Sequence, residues 1–317
     1  MTERSQFIRW FDTLSVDDVP IVGGKNASLG EMYRELTPQG VKVPNGFAVT
    51  ADAYRYVIET AGILPQMRDL VSGLDKNNLN DFAQRGRALR ELVYRAPLPN
   101  DLAAEIADAY GQLEAEYGAH TDVAVRSSAT AEDLPTASFA GQHESFLNIH
   151  SESQLLDAYR RCLASLFTDR AISYRIDQGF DHFKVALSVG VQKMVRSDLA
   201  SSGVMFSLDT ESGFRDVVFI NAAYGLGENV VQGTVDPDEF YVHKPTFEQG
   251  HRAVLRRSLG AKQLKMVYAA GSSRDTTRNV PTPRAERGRF CISDEEVLKL
   301  TEYAITVEKH YSARAGH

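Results

Sequence analysis

Two glycines stand immediately before a lysine at Gly23-Gly24-Lys25, and an amphipathic segment follows them. Glycine lets a backbone approach a ligand closely, and a helix start offers unpaired N–H donors to an anion. A lysine at that point adds a positive charge suited to phosphate. The segment is not a Walker A loop: that pattern needs glycine where Val19 sits and a hydroxyl where Asn26 sits. By itself it also reads as a Gly-Gly turn with a solvated lysine. Arg126, in AVRSSA, ends an apolar run and precedes small hydroxyl residues. A guanidinium so placed can clamp phosphate oxygens bidentately. Gly141 and Ser145 bracket the turn and strand beyond it. The alternative is a surface arginine paired with Glu132 or Asp133. A third group is Gln192-Lys193-Met194-Val195. The end of such a strand can offer backbone donors and acceptors to a purine edge, and Met194 and Val195 can cover the ring. It equally reads as a core strand with its polar positions in solvent.

Other chemistries are poorly supported. Gly225-Leu-Gly227 begins like a dinucleotide fingerprint, but Val230 stands where the third glycine belongs. The eight histidines show no metal-type spacing, and no histidine lies near the serines of SSAT or SSG in sequence. Asp236, Asp238 and Glu239 could hold Mg²⁺, but they also fit an acidic turn.

These residues must be positioned by regular elements. Leu29, Met32, Tyr33 and Leu36 have helical spacing after Lys25, with Asn26 as a cap or Ser28 and Glu31 as a capping box. VPNGFAVT (43–50) predicts a turn and a short strand. Helices are expected near 79–94, carrying Leu79, Phe82 and Leu89, and over 102–117, carrying Leu102, Ile106, Leu113 and Tyr117. Strands are expected at 122–128 and 144–149, then one or two helices over 152–178. Alternating Val185, Leu187, Val189 and Val191 predicts a strand over 185–195, and further strands fall at 203–209, 216–222 and 239–244. The polar stretch 271–289 reads as a loop. A final helix starts at the capping box Ser293–Glu296 and presents Val297, Leu300, Ala304 and Val307. Helices and strands without strict βαβ alternation predict a lobed α/β or α+β architecture.

The 317 residues allow about two domains or one large lobed one. A net charge of −7 argues against a general nucleic-acid binder. Two distant cysteines, Cys162 and Cys291, exclude a disulfide framework and fit a reducing cytoplasm. No run approaches the ~18 apolar residues of a membrane span, and the acid-bearing N-terminus is unlike a secretory signal. A soluble cytoplasmic protein with no nucleic-acid or membrane partner is expected.

The segments VGGKNASLGEM (22–32), VPNGFAVTADAY (43–54), AVRSSATAED (124–133), FAGQHESFLN (139–148), MVRSDLASSGVMFSLDTESGF (194–214) and GLGENVVQG…DPDEFYVHKP (225–245) occur in order along nearly the whole chain. Together they resemble the N-terminal nucleotide-binding domain of the phosphoenolpyruvate synthase and pyruvate phosphate dikinase family, and look closest to the synthase branch. The resemblance implies an ATP-grasp-type fold with ATP in a cleft and approximate lobes 1–118, 119–191 and 192–317. It implies that Lys25 and Arg126 contact the phosphates and act catalytically, with Gly141 and Ser145 lining the phosphate side. Gln192, Met194 and Val195 would hold the adenine. ATP and Mg²⁺ are the implied ligands, and a phosphohistidine domain the implied partner, in cis in full-length relatives. The implied reaction converts pyruvate, ATP and water to phosphoenolpyruvate, AMP and phosphate through a carrier histidine on another domain. The family's acidic metal ligands, its carrier-histidine domain and its pyruvate-binding barrel are expected outside these 317 residues, so the metal ligands here are unknown. Two alternatives are another dikinase of the same fold, such as a rifampicin phosphotransferase, and a catalytically inactive nucleotide-binding fragment.

Overall fold

A computed structural model of the chain describes residues 6–130, 133–134, 137–138, 144–269 and 276–315. It is a mixed helix-and-sheet protein with antiparallel sheets, divided into two compact units. The first comprises the chain up to Glu35 and Val43–Met194; the second comprises Leu36–Lys42 and the chain from Val195.

In the first unit β1 (Ile8–Trp10), α1 (Val19–Glu31), β2 (Gly46–Val49), α2 (Ala51–Thr60), α3 (Leu64–Val71), α4 (Leu79–Arg95) and α5 (Asn100–Tyr117) come first. They are followed by β3 (Val123–Ala129), β4 (Asp133–Leu134), β5 (Ala137–Ser138), β6 (Ser145–Ile149), α6 (Glu152–Ser165), α7 (Asp169–Asp177) and β7 (Leu187–Lys193). Five strands form a sheet in the order β1-β2-β7-β3-β6, each pair antiparallel. The period-2 apolar pattern puts Val123, Val125, Leu187, Val189 and Val191 into one core with Val57, Leu89, Ile106 and Leu155 from the helices. Each such fully buried side chain contributes roughly 1.5–3 kcal/mol. The opposite face meets α1 through a smaller cluster of Phe11, Leu14, Val22, Ala27 and Ala48.

In the second unit β8 (Ser201–Phe206), β9 (Val217–Tyr224), α8 (Glu228–Val231), β10 (Asp238–His243), α9 (Lys244–Glu248) and β11 (Val254–Ser258) precede β12 (Leu264–Tyr268) and β13 (Thr277–Pro281). The chain then forms α10 (Arg284–Arg287) and α11 (Asp294–Ala315). The sheet order is β11-β10-β9-β8, and β12 and β13 form a separate hairpin. One face packs Val218, Ile220, Phe240 and Val242 against Val297, Ala304 and Ile305 of α11. The other carries a row of rings, Phe206, Phe219 and Tyr241, with the Arg256 guanidinium over the last.

Several local expectations change. α1 starts before the glycines, at Val19, directly after a 3-10 turn (Val16–Asp18) that Ser15 and Asp18 cap reciprocally, and Pro20 suits its first turn. Asn26 is therefore no cap, and Glu31 is a buried acceptor of the Val16 N–H and Arg34. Leu79 is 75% exposed at the first residue of its helix, and Tyr117 reaches out to accept the Asn45 N–H. The expected loop at 271–289 contains β13 and α10. β1, β11 and β12 have no counterpart in the expected elements. The burial pattern of β11 is exposed through its middle, so it carries no alternation to read, and its ladder with β10 defines it. The capping box at Ser293–Glu296 is present, with bonds of 2.7 and 3.3 Å.

Candidate functional site

Three candidate residues of the first unit, Arg126, Ser145 and Gln192, lie on one face of its sheet. Side chains alternate along a strand, so Ala124, Arg126 and Ser128 of β3 point away from the helical core. Ser188, Gly190 and Gln192 of β7 do the same. The register places Gln192 beside Ala124, Gly190 beside Arg126 and Ser188 beside Ser128. On the other flank of β3, Ser145 pairs with Arg126. Arg126 is exposed although the residues on both sides of it are buried, and Ser145 is exposed too. This face is lined by small residues, which leaves room for a backbone to lie against it.

The backbone that lies there belongs to α1. Gly23 has φ 73° and ψ 163°, which interrupts the helix. A side chain at Gly23 would place its Cβ 2.3 Å from Ser128 Oγ and 2.6 Å from the Ser128 carbonyl oxygen. Only glycine tolerates both the torsion and the contact. The helix restarts at Gly24, and a helix start carries N–H groups without intrahelical acceptors and a partial positive charge. Lys25 is exposed at this restart. Ser128 and Arg126 are two residues apart on one side of β3, or about 6.6 Å along the strand. The glycine break and Arg126 thus lie on the same side of the sheet, an arrangement that suits an anion with several oxygens.

Asn26 is the buried residue that seats this restart. Its N–H donates to Ser128 Oγ at 3.5 Å, and its Nδ2 donates to Ser188 Oγ at 3.1 Å. Ser188 Oγ in turn donates to the Val49 carbonyl at 2.8 Å. Sequence reasoning missed this relay. Its signal was the hydroxyls two residues beyond Arg126 and two before Gly190, visible only once the strands are paired.

The end of β7 is tied down on several sides. Gln192 Nε2 donates to the Pro44 carbonyl at 3.1 Å. The Met194 N–H donates to the Asp122 carbonyl at 2.9 Å, and the Met194 carbonyl accepts Lys193 Nζ at 2.8 Å. Met194 Sδ accepts the N–H of Asn148, a residue with φ 56° in β6. Val195 is 65% exposed and is the first residue of the other unit's second segment. Gly141 lies outside the described residues.

Other candidates are absorbed by packing. Asp236 accepts the Ala261 N–H at 2.8 Å, and Asp238 is buried against Lys262. Gly225 bridges Met266 of β12. Burial pushes the Cys162 thiol well above its ordinary range, and the Cys291 thiol up to about 12 with help from Asp238, so neither is a thiolate nucleophile. A cavity of about 590 Å³ in the second unit, walled by Phe206, Leu208, Val307 and Tyr311, contains none of the candidate residues. Among the described residues no three histidine, cysteine or acidic side chains group as a metal would need. No helix among them is long and apolar enough to cross a membrane.

Residues 19–315 match the family model described as the pyruvate phosphate dikinase AMP/ATP-binding domain. The chain is 55% identical to a phosphoenolpyruvate synthase of Synechocystis sp. over 99% of its own length and 39% of that protein. It is 55% identical to the Helicobacter pylori phosphoenolpyruvate synthase, over 98% of this chain and 38% of the relative. With the Escherichia coli phosphoenolpyruvate synthase the figures are 50%, 99% and 40%. The chain thus spans about two-fifths of the length of these relatives. A match over nearly every residue, glycine break and sheet face included, means that this chain belongs to the pyruvate phosphate dikinase AMP/ATP-binding domain family.

Proposed function

We propose that the chain is the ATP-binding domain of a phosphoenolpyruvate synthase, with an ATP-grasp-type arrangement. Acting with a carrier histidine and a pyruvate site on further domains, it would convert pyruvate, ATP and water to phosphoenolpyruvate, AMP and phosphate. The observation that carries this reading is the seating of the Gly23 break on Ser128, two residues along β3 from Arg126. That geometry supports a polyphosphate lying across the exposed patch.

Release of AMP requires cleavage between the α-phosphate oxygen and the β-phosphorus. Negative charge then grows on the departing α-phosphate while the β- and γ-phosphates move to the histidine. Lys25 and Arg126 would neutralise these oxygens, and the helix restart would add backbone donors. Ser145, paired with Arg126, would give a hydroxyl at the rim. Gly141 is assigned to the same phosphate side. Met194 would form a soft wall for the adenine, with Val195 beside it in sequence, and Gln192 would hold the preceding loop through Pro44. Mg²⁺ is expected with ATP, but the described residues offer no complete ligand set, so no step is assigned to it.

Calorimetric titration of the chain with MgATP and with a non-hydrolysable analogue tests the reading. Lys25→Ala and Arg126→Ala should each weaken binding at least about tenfold, since each leaves phosphate charge unpaired. Unchanged affinity in both variants would remove these residues from the site.

A further inference from the structure

We infer that Asn26 is a positioning residue that sets the helix restart at Gly24-Lys25 against the sheet, so that phosphate contacts depend on a side chain that touches no phosphate. The inference rests on the nucleotide-site reading above and adds to it the device that holds its geometry.

Asn26 is buried, as are Ser128 and Ser188 beneath it. Three contacts fix it. Its N–H is held by Ser128 Oγ on β3, and its side-chain amide by Ser188 Oγ on β7. Its Oδ1 lies over Gly190, where an added Cβ would stand 2.1 Å away. Gly190 is also the cross-strand neighbour of Arg126. One asparagine therefore grips the adjacent strands β3 and β7 and lies over Gly190, the residue paired with Arg126. Ser188 passes the grip on to the Val49 carbonyl of β2. Lys25 immediately precedes this anchor, and Gly23 is pressed on the same Ser128. A shift of Asn26 must move the N–H groups and Lys25 together, relative to Arg126.

The polar character of the anchor is informative. An apolar residue could pack α1 on the sheet, as Val22 and Ala27 do on either side. A side chain with a donor, facing a hydroxyl acceptor, fixes rotation and translation as well as contact. Buried polar groups without partners are costly, so the relay has one satisfied arrangement and resists slippage.

The test uses the full 317-residue chain and three variants: Asn26→Ala, Gly190→Ala and the double variant. Asn26→Ala should lower MgATP affinity about tenfold or more, because small misplacements of binding groups have large effects. The loss should grow from adenosine to AMP, ADP and ATP, since the phosphate contacts are displaced and the adenine contacts are not. In the free protein, amide hydrogen exchange over residues 24–28 should rise while exchange in β3 and β7 stays as in the parent chain. Gly190→Ala drives its methyl into Asn26 and should weaken MgATP binding to a similar extent. In the double variant the clash is gone, so its affinity should equal that of Asn26→Ala and the two losses should not multiply. Independent, multiplying losses would overturn the inference, as would an equal loss for adenosine and ATP. Unchanged exchange or unchanged MgATP affinity in Asn26→Ala would do so too. If the parent chain binds no MgATP, the nucleotide reading fails and the phosphate role of Asn26 fails with it. If Lys25→Ala weakens binding and Asn26→Ala does not, the nucleotide reading stands and this inference alone falls.

Discussion

Arg175 in the first unit and Lys262 in the second are both fully buried, and their surroundings differ. Lys262 is paired with the carboxylate of Asp238, itself buried. Asp238 also accepts the Gly260 N–H at 2.9 Å and the Cys291 N–H at 2.7 Å, and Lys262 donates to the Gly260 carbonyl at 2.9 Å. Among the described residues no carboxylate pairs with Arg175. Its Nε donates to His182 Nδ1 at 2.9 Å, its Nη2 to the Leu166 carbonyl at 2.7 Å, and its Cζ lies 5.5 Å from the centre of the Phe167 ring. Its Nη1 has no hydrogen-bond partner among the described residues. Burial draws the Arg175 pKa down to about 10. A buried cation can thus be held by an ion pair that ties three chain segments together, or by neutral dipoles and a ring. The first arrangement fails hard when one partner is lost; the second is sensitive to the protonation of its neighbour.

The strongest way to break the contrast is Asp238→Ala. It leaves the Lys262 ammonium buried and unpaired and frees two backbone N–H groups, at a cost of about 3–5 kcal/mol. Chemical denaturation, followed by a probe in the second unit, should show the loss. Replacing the pair together, as Asp238→Asn with Lys262→Met, should cost clearly less, and an equal cost would mean that charge is not the issue.

A smaller effect is expected from pH on the first unit. Burial, and then the Arg175 charge, lower the His182 pKa from 6.5 to about 4. A depressed pKa contributes stability that is complete above 6.5 and is lost as pH falls from there towards 4. Over that window the loss should reach about 2–3 kcal/mol. Protonated His182 can no longer accept from Arg175, so the geometry and the sign agree. Denaturation at pH 7.5 and pH 4.5 checks this, and His182→Gln should flatten the difference. A pH dependence unaltered by His182→Gln would place the titrating group elsewhere.

The smallest effect sharpens the dipole half of the comparison. Arg175→Lys keeps the charge but cannot reach His182 and the Leu166 carbonyl with a planar fork, and should cost about 1–2 kcal/mol at pH 7.5. Arg175→Met, which removes the charge, should cost no more than that. A much larger loss for methionine would show that the charge itself is required.

How much of this was legible in the sequence depends on the range of the interaction. The strand through Leu187, Val189 and Val191 was plain because alternation is a local pattern. So was the start of α11, whose cap lies within four residues. Arg126 and the Gly23-Gly24-Lys25 segment were legible as residue types suited to phosphate, but residue type alone left a surface arginine and a solvated lysine equally open. Neither the cap at Asn26 nor the capping box Ser28–Glu31, the two local alternatives, is formed at this start; the partners of Asn26, Ser128 and Ser188, lie 102 and 162 residues away. The acidic turn at Asp236–Asp238 gave no sign of its buried lysine, 24 residues on.

By itself the sequence determined the elements with a strong period and, through motifs kept in order, the family. Tertiary structure decided that Gly23, Asn26, Arg126, Ser145 and Gln192 share one sheet face, and which polar groups are buried against one another. The physical reason is that a local pattern assigns a side chain to a face of its own strand or helix. Which faces then meet is fixed by antiparallel pairing and core packing between segments far apart in the chain.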